Sequence, residues 1–247
     1  MNRNLLSATA ALGLLLTPAC AQEQIDTTDK AQIESIVREY ILENPEIIEE
    51  ALIALNEKQQ LAESERVATL IADNMDALYN DPQDFSIGPA DAPVTVVEFF
   101  DYRCGYCKRS AEWASELPVK FDNQVRVVFK EYPILSVESE KAALAAIAAG
   151  KQGKYIEMHM ALMALDNSDG MSAEVIDATA DSVGVDVTKM RADMSSIAVQ
   201  KTVADAKSLA RKIGVSGTPN FLIGTDIIPG ADTAAVERLI TDALAES

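Results

Sequence analysis

The chain has 247 residues with 39 acidic and 21 basic side chains, a net charge of −18, three cysteines and a single histidine. So acidic a surface repels phosphate backbones, which excludes nucleic acid as a partner. Cys104 and Cys107 have the spacing of half a zinc site. A closed tetrahedral site needs four ligands, however, and the only other thiol and imidazole, Cys20 and His159, lie in other segments.

Residues 1–21 have the pattern of an export signal: Arg3 supplies the positive start, Leu5 to Leu16 the apolar core and Ala19-Cys20-Ala21 a small-x-small cleavage site. The mature protein is expected to begin near Gln22 and to be soluble in the periplasm, because no later stretch approaches the roughly 20 apolar residues of a membrane span. Thr17-Pro18-Ala19-Cys20 is also a weak version of a lipid-attachment signal, which makes an anchor at Cys20 the lesser alternative.

From Asp29 to Asn80 the pattern is helical and charged. Ile33, Ile36, Val37, Tyr40 and Ile41 form one stripe, and Asn44-Pro45-Glu46 stops it and starts a second helix with Asn44 as N-cap and Pro45 in the first position. Ile48, Leu52 and Leu55 continue the pattern. A polar gap at residues 58–60 then separates them from Val67, Leu70, Ile71, Met75 and Leu78, so short amphipathic pieces are expected rather than a sustained coiled coil. Such pieces are marginal alone, and their stripes must pack either on the protein's own body or on further copies of it.

Asp81-Pro82, Gly88-Pro89 and Ala92-Pro93 mark a boundary. The apolar run Val94 to Phe100, a helix after Cys107 and a second run from Val125 to Lys130 form a βαβ unit, which implies parallel strands. Residues 136–200 are helical in pattern throughout. A helix from Ala204 to Ile213 ends at Gly214, Phe221-Leu222-Ile223 and Ile227-Ile228 form an antiparallel hairpin, and Thr233 to Leu244 closes the chain as a helix. The reading is α/β, with residues 83–135 and 201–247 as one domain, residues 136–200 inserted into it and residues 22–82 as an oligomerisation arm.

Cys104-Gly105-Tyr106-Cys107 sits where a buried strand gives way to a helix, the position of a thiol–disulfide exchange site. Free N–H groups at the helix start favour the thiolate of Cys104, the expected nucleophile, and Cys107 follows about one turn later, within reach for a short disulfide. Glu98 lies on the same strand face as Val94, Val96 and Phe100. Burial there raises its pKa and suits it to take the proton of Cys107, unless it reaches water at the strand end or pairs with Lys130 on the neighbouring strand. His159 is expected to be a packing residue, and Trp113 and the alanines from Ala142 to Ala149 to be core.

The run Val97 to Cys107, with Val215-Ser216-Gly217-Thr218-Pro219, resembles the DsbA-type branch of the thioredoxin superfamily. The arm ahead of it most resembles ScsC-like proteins, some of which are trimeric disulfide isomerases. The resemblance implies a thioredoxin fold with a helical insertion and no cofactor. It also implies a cis-proline at Pro219, with Gly105, Tyr106, Thr218 and Pro219 contacting disulfide-bearing client proteins. Further implications are a homotrimer and a membrane thiol reductase as electron donor. ScsC-like proteins are also associated with copper tolerance, and two soft thiolates at Cys104 and Cys107 suit Cu(I). The Gly105-Tyr106 dipeptide and the threonine before Pro219 resemble the isomerase DsbC rather than the dedicated oxidases, which implies a less oxidising site and an isomerase or reductase as the leading reading, with a DsbA-like disulfide oxidase as the alternative.

Overall fold

The computed structural model describes residues 30–168 and 170–246. The expected signal segment and Cys20 lie outside the described residues. Within them no helix is long and apolar enough to cross a membrane. The described residues divide into two compact units, one ending at Lys58 and the other beginning at Gln59.

The first unit contains α1 (Lys30–Glu43) and the beginning of α2 (Glu46–Ala72). No side chain of α1 is buried. Asn44 does not cap the second helix as expected: its Nδ2 donates back to the Tyr40 carbonyl (2.9 Å) and closes α1 instead. The polar stretch at residues 58–60 interrupts the apolar stripe but not the backbone. Lysine and glutamine are good helix formers, so α2 runs on for 27 residues.

The second unit is built on a five-stranded sheet in the order β1-β3-β2-β4-β5. Strands β2 (Val94–Phe100) and β3 (Val125–Glu131) are parallel and joined by α4 (Gly105–Lys120), which gives the βαβ unit. Strands β4 (Asn220–Ile223) and β5 (Asp226–Pro229) form the expected hairpin, with β4 antiparallel to β2. A short edge strand, β1 (Phe85–Ile87), pairs antiparallel with β3. Three residues among breakers carry too little periodicity to be seen in the sequence.

One face of the sheet, with Val94, Val96, Phe100, Val127 and Phe221, packs on Ala111, Ala114 and Leu117 of α4 and on Val236 and Ile240 of α10 (Thr233–Glu246). The other face, with Val97, Phe99, Val128 and Leu222, packs on Ile71, Leu78 and Tyr79 from the end of α2 and from α3 (Met75–Tyr79). Residues 59–82 are therefore part of the second unit, which begins at Gln59. Buried Lys130 secures this entry segment through an ion pair with Asp84 and a hydrogen bond to the Ala77 carbonyl.

The inserted helices are α5 (Val137–Gly150), α6 (Tyr155–Ala164), α7 (Ala173–Ser182) and α8 (Val187–Met194), followed by α9 (Ile197–Lys212). The eight-residue α8 falls within the stretch expected to be helical. Its N-cap is Asp186, whose side chain accepts from the Lys189 N–H (2.9 Å). Helix α9 begins earlier than Ala204, at the Ser196 N-cap. Gly150 ends α5 where a Cβ would lie 2.1 Å from the Phe85 ring, so only glycine lets β1 and the insertion approach this closely.

Candidate active site

Strand β2 delivers the chain to the site, and Asp101 turns it. The buried carboxylate of Asp101 accepts from the N–H groups of Arg103 (2.7 Å), Ile134 (2.8 Å) and Leu135 (2.9 Å) and from the Ser139 hydroxyl (2.7 Å). Its carbonyl accepts from the Cys104 N–H (3.0 Å). One side chain thus joins the loop before the cysteines to the loop after β3 and to α5. Only the bond to Arg103, two residues on, has a sequence signal, the Asx turn.

Cys104 is the N-cap of α4 and Gly105 its first residue. Hydrogen bonding from the Cys107 thiol, from the Thr218 side chain and from the backbone N–H groups of Cys107 and Tyr106 outweighs burial and holds the Cys104 thiol down to about 5. As a thiol, its S–H donates to the Thr218 carbonyl (3.2 Å). The Thr218–Pro219 peptide bond is cis. Segments more than a hundred residues apart thereby meet at one sulfur.

Cys107 has the opposite environment. It is fully buried, and burial, its hydrogen bond to Cys104 and the nearby Glu98 push its thiol far above the ordinary range. Both cysteines are free thiols. Glu98 is 1% exposed and neither carboxylate oxygen meets a hydrogen-bond donor among the described residues. Burial, and secondarily the Cys104 charge, push it up to about 8. Pairing with Lys130 is ruled out by register: Glu98 lies opposite Phe129, which puts Lys130 on the other face of the sheet with Asp84.

Tyr106 is 61% exposed beside the cysteines, its ring stacked under the Arg109 guanidinium at 4.2 Å. Trp113, expected in the core, is half-buried. Its Nε1 donates to Glu237 (2.7 Å) and its ring meets Phe221 edge-on at 5.5 Å. His159 is a buried packing residue, pushed down to about 3 by burial, with its Nδ1 3.1 Å from the Tyr102 hydroxyl. The Tyr102 and Tyr155 hydroxyls both donate to Glu131 Oε1 (2.9 Å each). This buried cluster had no sequence signal, because its hydrogen bonds span 24 to 57 residues. Among the described residues no three His, Cys, Asp or Glu side chains are grouped to hold a metal ion, and a soft ion would meet only the two sulfurs here.

Residues 95–238 match the family described as DSBA-like thioredoxin domain, and residues 29–62 match the Copper resistance protein ScsC N-terminal domain. Na(+)/H(+) antiporter NhaA 1 of Salinispora arenicola is 44% identical over 79 residues, and NhaA 3 of Salinispora tropica is 34% identical over 138. These matches cover 31% and 55% of this chain but only 12% and 21% of the antiporters' length. Among solved structures, a thioredoxin-like oxidoreductase from Silicibacter pomeroyi has a TM-score of 0.64 and 37% identity, over 70% of this chain and 98% of that one. Proteus mirabilis ScsC in a transitional conformation has a TM-score of 0.65 and 29% identity, over 92% and 100%. Salmonella enterica Typhimurium BcfH has 0.70 and 27%, over 88% and 96%.

Proposed function

Because the chain belongs to the family of DsbA-like thioredoxin domains, we propose that it is a thiol–disulfide oxidoreductase working as an exported disulfide isomerase or reductase on misfolded client proteins. Cys104 attacks a client disulfide and forms a mixed disulfide. Cys107 then resolves it when release stalls, passing its proton to Glu98. Thr218 and Pro219 hold the client beside the sulfurs, with Gly105 and Tyr106 forming the rim.

The observation that carries this reading is the contrast between the two thiols. A nucleophile held at about 5 is ready at neutral pH, whereas the buried Cys107 is reluctant to ionise. Such a pair favours a mixed disulfide long enough lived for the client to exchange its own thiols. The value for Cys104 also lies between the about 3.5 typical of a strong oxidase and the about 7 of thioredoxin. Isomerisation requires reduced cysteines, so the reading includes a membrane thiol reductase as electron donor. It also includes self-association of the arm into a trimer, which would keep several sites near one client. Refolding of a scrambled-disulfide substrate by residues 22–247, beside a native mass measurement, tests it: recovery of native pairing by an oligomer is expected. Formation of disulfides in reduced substrate without rearrangement would favour the oxidase instead.

A second reading is favoured by the match to the ScsC N-terminal domain: Cys104 and Cys107 would take Cu(I) as cargo. Stoichiometric Cu(I) binding that disappears in the double serine variant is its test.

A further inference from the structure

Three basic side chains adjoin the cysteines in the sequence, Arg103, Lys108 and Arg109. Arg103 is paired with Glu138 (3.5 Å) at the start of α5. The half-buried Lys108 donates to the carbonyls of Leu162 (3.2 Å), Met163 (3.3 Å) and Leu165 (2.6 Å) around the end of α6. Arg109 is exposed, and among the described residues its guanidinium has neither a carboxylate nor a carbonyl as partner; what it touches is the Tyr106 ring, whose centre lies 4.2 Å from its Cζ. A guanidinium held against a ring face keeps its N–H donors along its edges, in the fork that matches a carboxylate. Its place is set as well: a Cβ added to Gly105 would lie 3.7 Å from Arg109 Nη1, so the fork stands beside the residue that follows Cys104.

We propose that Arg109, braced by Tyr106, is a specificity-determining residue that pairs with a carboxylate next to the incoming cysteine. The inference rests on thiol–disulfide exchange at Cys104 and names the substrates that exchange would prefer. While a substrate is joined to Cys104, the two bonded cysteines have Cα atoms about 4.4–6.8 Å apart, and the substrate's next residue lies about 3.8 Å further along. Side chains flanking the incoming cysteine therefore come within reach of groups that adjoin Cys104, and of the three cations Arg109 is the one not already engaged. The net charge of −18 repels acidic segments at long range. A fixed cation beside the sulfur reverses that repulsion locally, so the pairing selects which cysteine is attacked. Stacking on Tyr106 holds the guanidinium before the substrate arrives, which reduces the side-chain freedom lost on pairing. An aspartate or glutamate beside a client cysteine supplies this carboxylate, and so does the glycine that follows cysteine in glutathione.

The test follows acid-quenched exchange between the reduced protein and two disulfide-linked peptide dimers with blocked termini, Ala-Asp-Cys-Asp-Ala and Ala-Asn-Cys-Asn-Ala, at about 0.15 M salt. Oxidised glutathione and its glycine ethyl ester form a second pair. In each pair the ratio of acidic to neutral rate is compared between variant and wild type, which cancels the substrates' own reactivity. Arg109→Gln is expected to lower that ratio about fivefold in at least one pair. A fall with the peptides identifies protein clients as the source of the carboxylate, and a fall with glutathione alone identifies the small thiol. Arg103→Gln removes an equal charge that Glu138 already engages, and should leave the ratio within about twofold. An unchanged ratio in Arg109→Gln, or an equal fall in Arg103→Gln, overturns the proposal while leaving exchange intact. A wild-type protein that exchanges with none of these disulfides overturns exchange itself, and the proposal with it.

Discussion

In the first unit Ile33, Val37, Tyr40, Leu52 and Leu55 stand on helices with 44–60% of their surface exposed, whereas in the second Ile71, Leu78, Val97 and Phe99 are completely buried. Both sets have helical or strand periodicity, and both belong to residue types that gain about 25 cal/mol for each Å² removed from water. The difference lies in what is available to cover them. Residues 59–247 close around a sheet with helices on both faces. Residues 30–58 comprise one helix and part of another, with no buried side chain in α1. A periodic apolar stripe thus identifies a surface that must be covered without identifying its cover, and here the first unit's stripe is what the proposed self-association would cover.

If catalysis resides wholly in the second unit, its largest single effect comes from Cys104→Ser, which should abolish exchange with the arm intact. Cys107→Ser should instead accumulate mixed disulfides, visible on non-reducing gels. Residual turnover in Cys104→Ser would break the assignment of the nucleophile.

The comparison is sharpened by cutting the chain at two places. Removal of residues 22–58 should give a folded, redox-active monomer with lost isomerase activity. Removal through residue 80 also takes Ile71, Leu78 and Tyr79 out of the core and should prevent stable folding. In single variants, Leu78→Ala should cost about 2–5 kcal/mol in urea unfolding. Leu52→Ala should stay within about 0.5 kcal/mol for the monomer yet weaken assembly in sedimentation. A monomeric full-length protein would remove the proposed cover.

Glu98→Gln is expected to stabilise the reduced protein, since the folded carboxyl lies at about 8 against the ordinary 4.5. The penalty of the wild-type carboxylate is absent below pH 4.5, grows as pH rises to 8 and is constant above. The variant's advantage should therefore follow the same course and reach on the order of 3 kcal/mol at pH 7, since each pH unit is worth about 1.4 kcal/mol. The same variant should exchange more slowly. An equal stability difference at pH 4 and pH 8 would show that the effect is not ionisation.

The smallest expected effect is that of Thr218→Val, which removes one of several hydrogen bonds to the Cys104 thiolate. Its alkylation midpoint should rise from about 5 by less than about one pH unit. No change would reduce Thr218 to its carbonyl contact.

The sequence by itself determined the elements whose signal is local. The cysteine pair at a strand-to-helix junction, the parallel unit of β2 and β3, the β4–β5 hairpin and the helical insertion all follow from period, breakers and caps within a few residues. Burial of Glu98 was legible for the same reason, because alternation along a strand assigns its face. Tertiary structure decided what depends on register and long-range approach. That Lys130 meets Asp84 rather than Glu98 follows from pairing Glu98 with Phe129. That residues 59–82 belong to the second unit follows from the sheet's second face. The hub at Asp101 and the Tyr102–Glu131–Tyr155–His159 cluster make hydrogen bonds that reach across 24 to 57 residues. Propensity acts over a few neighbours, whereas a hydrogen bond across such a separation forms only after packing has brought both groups to one place.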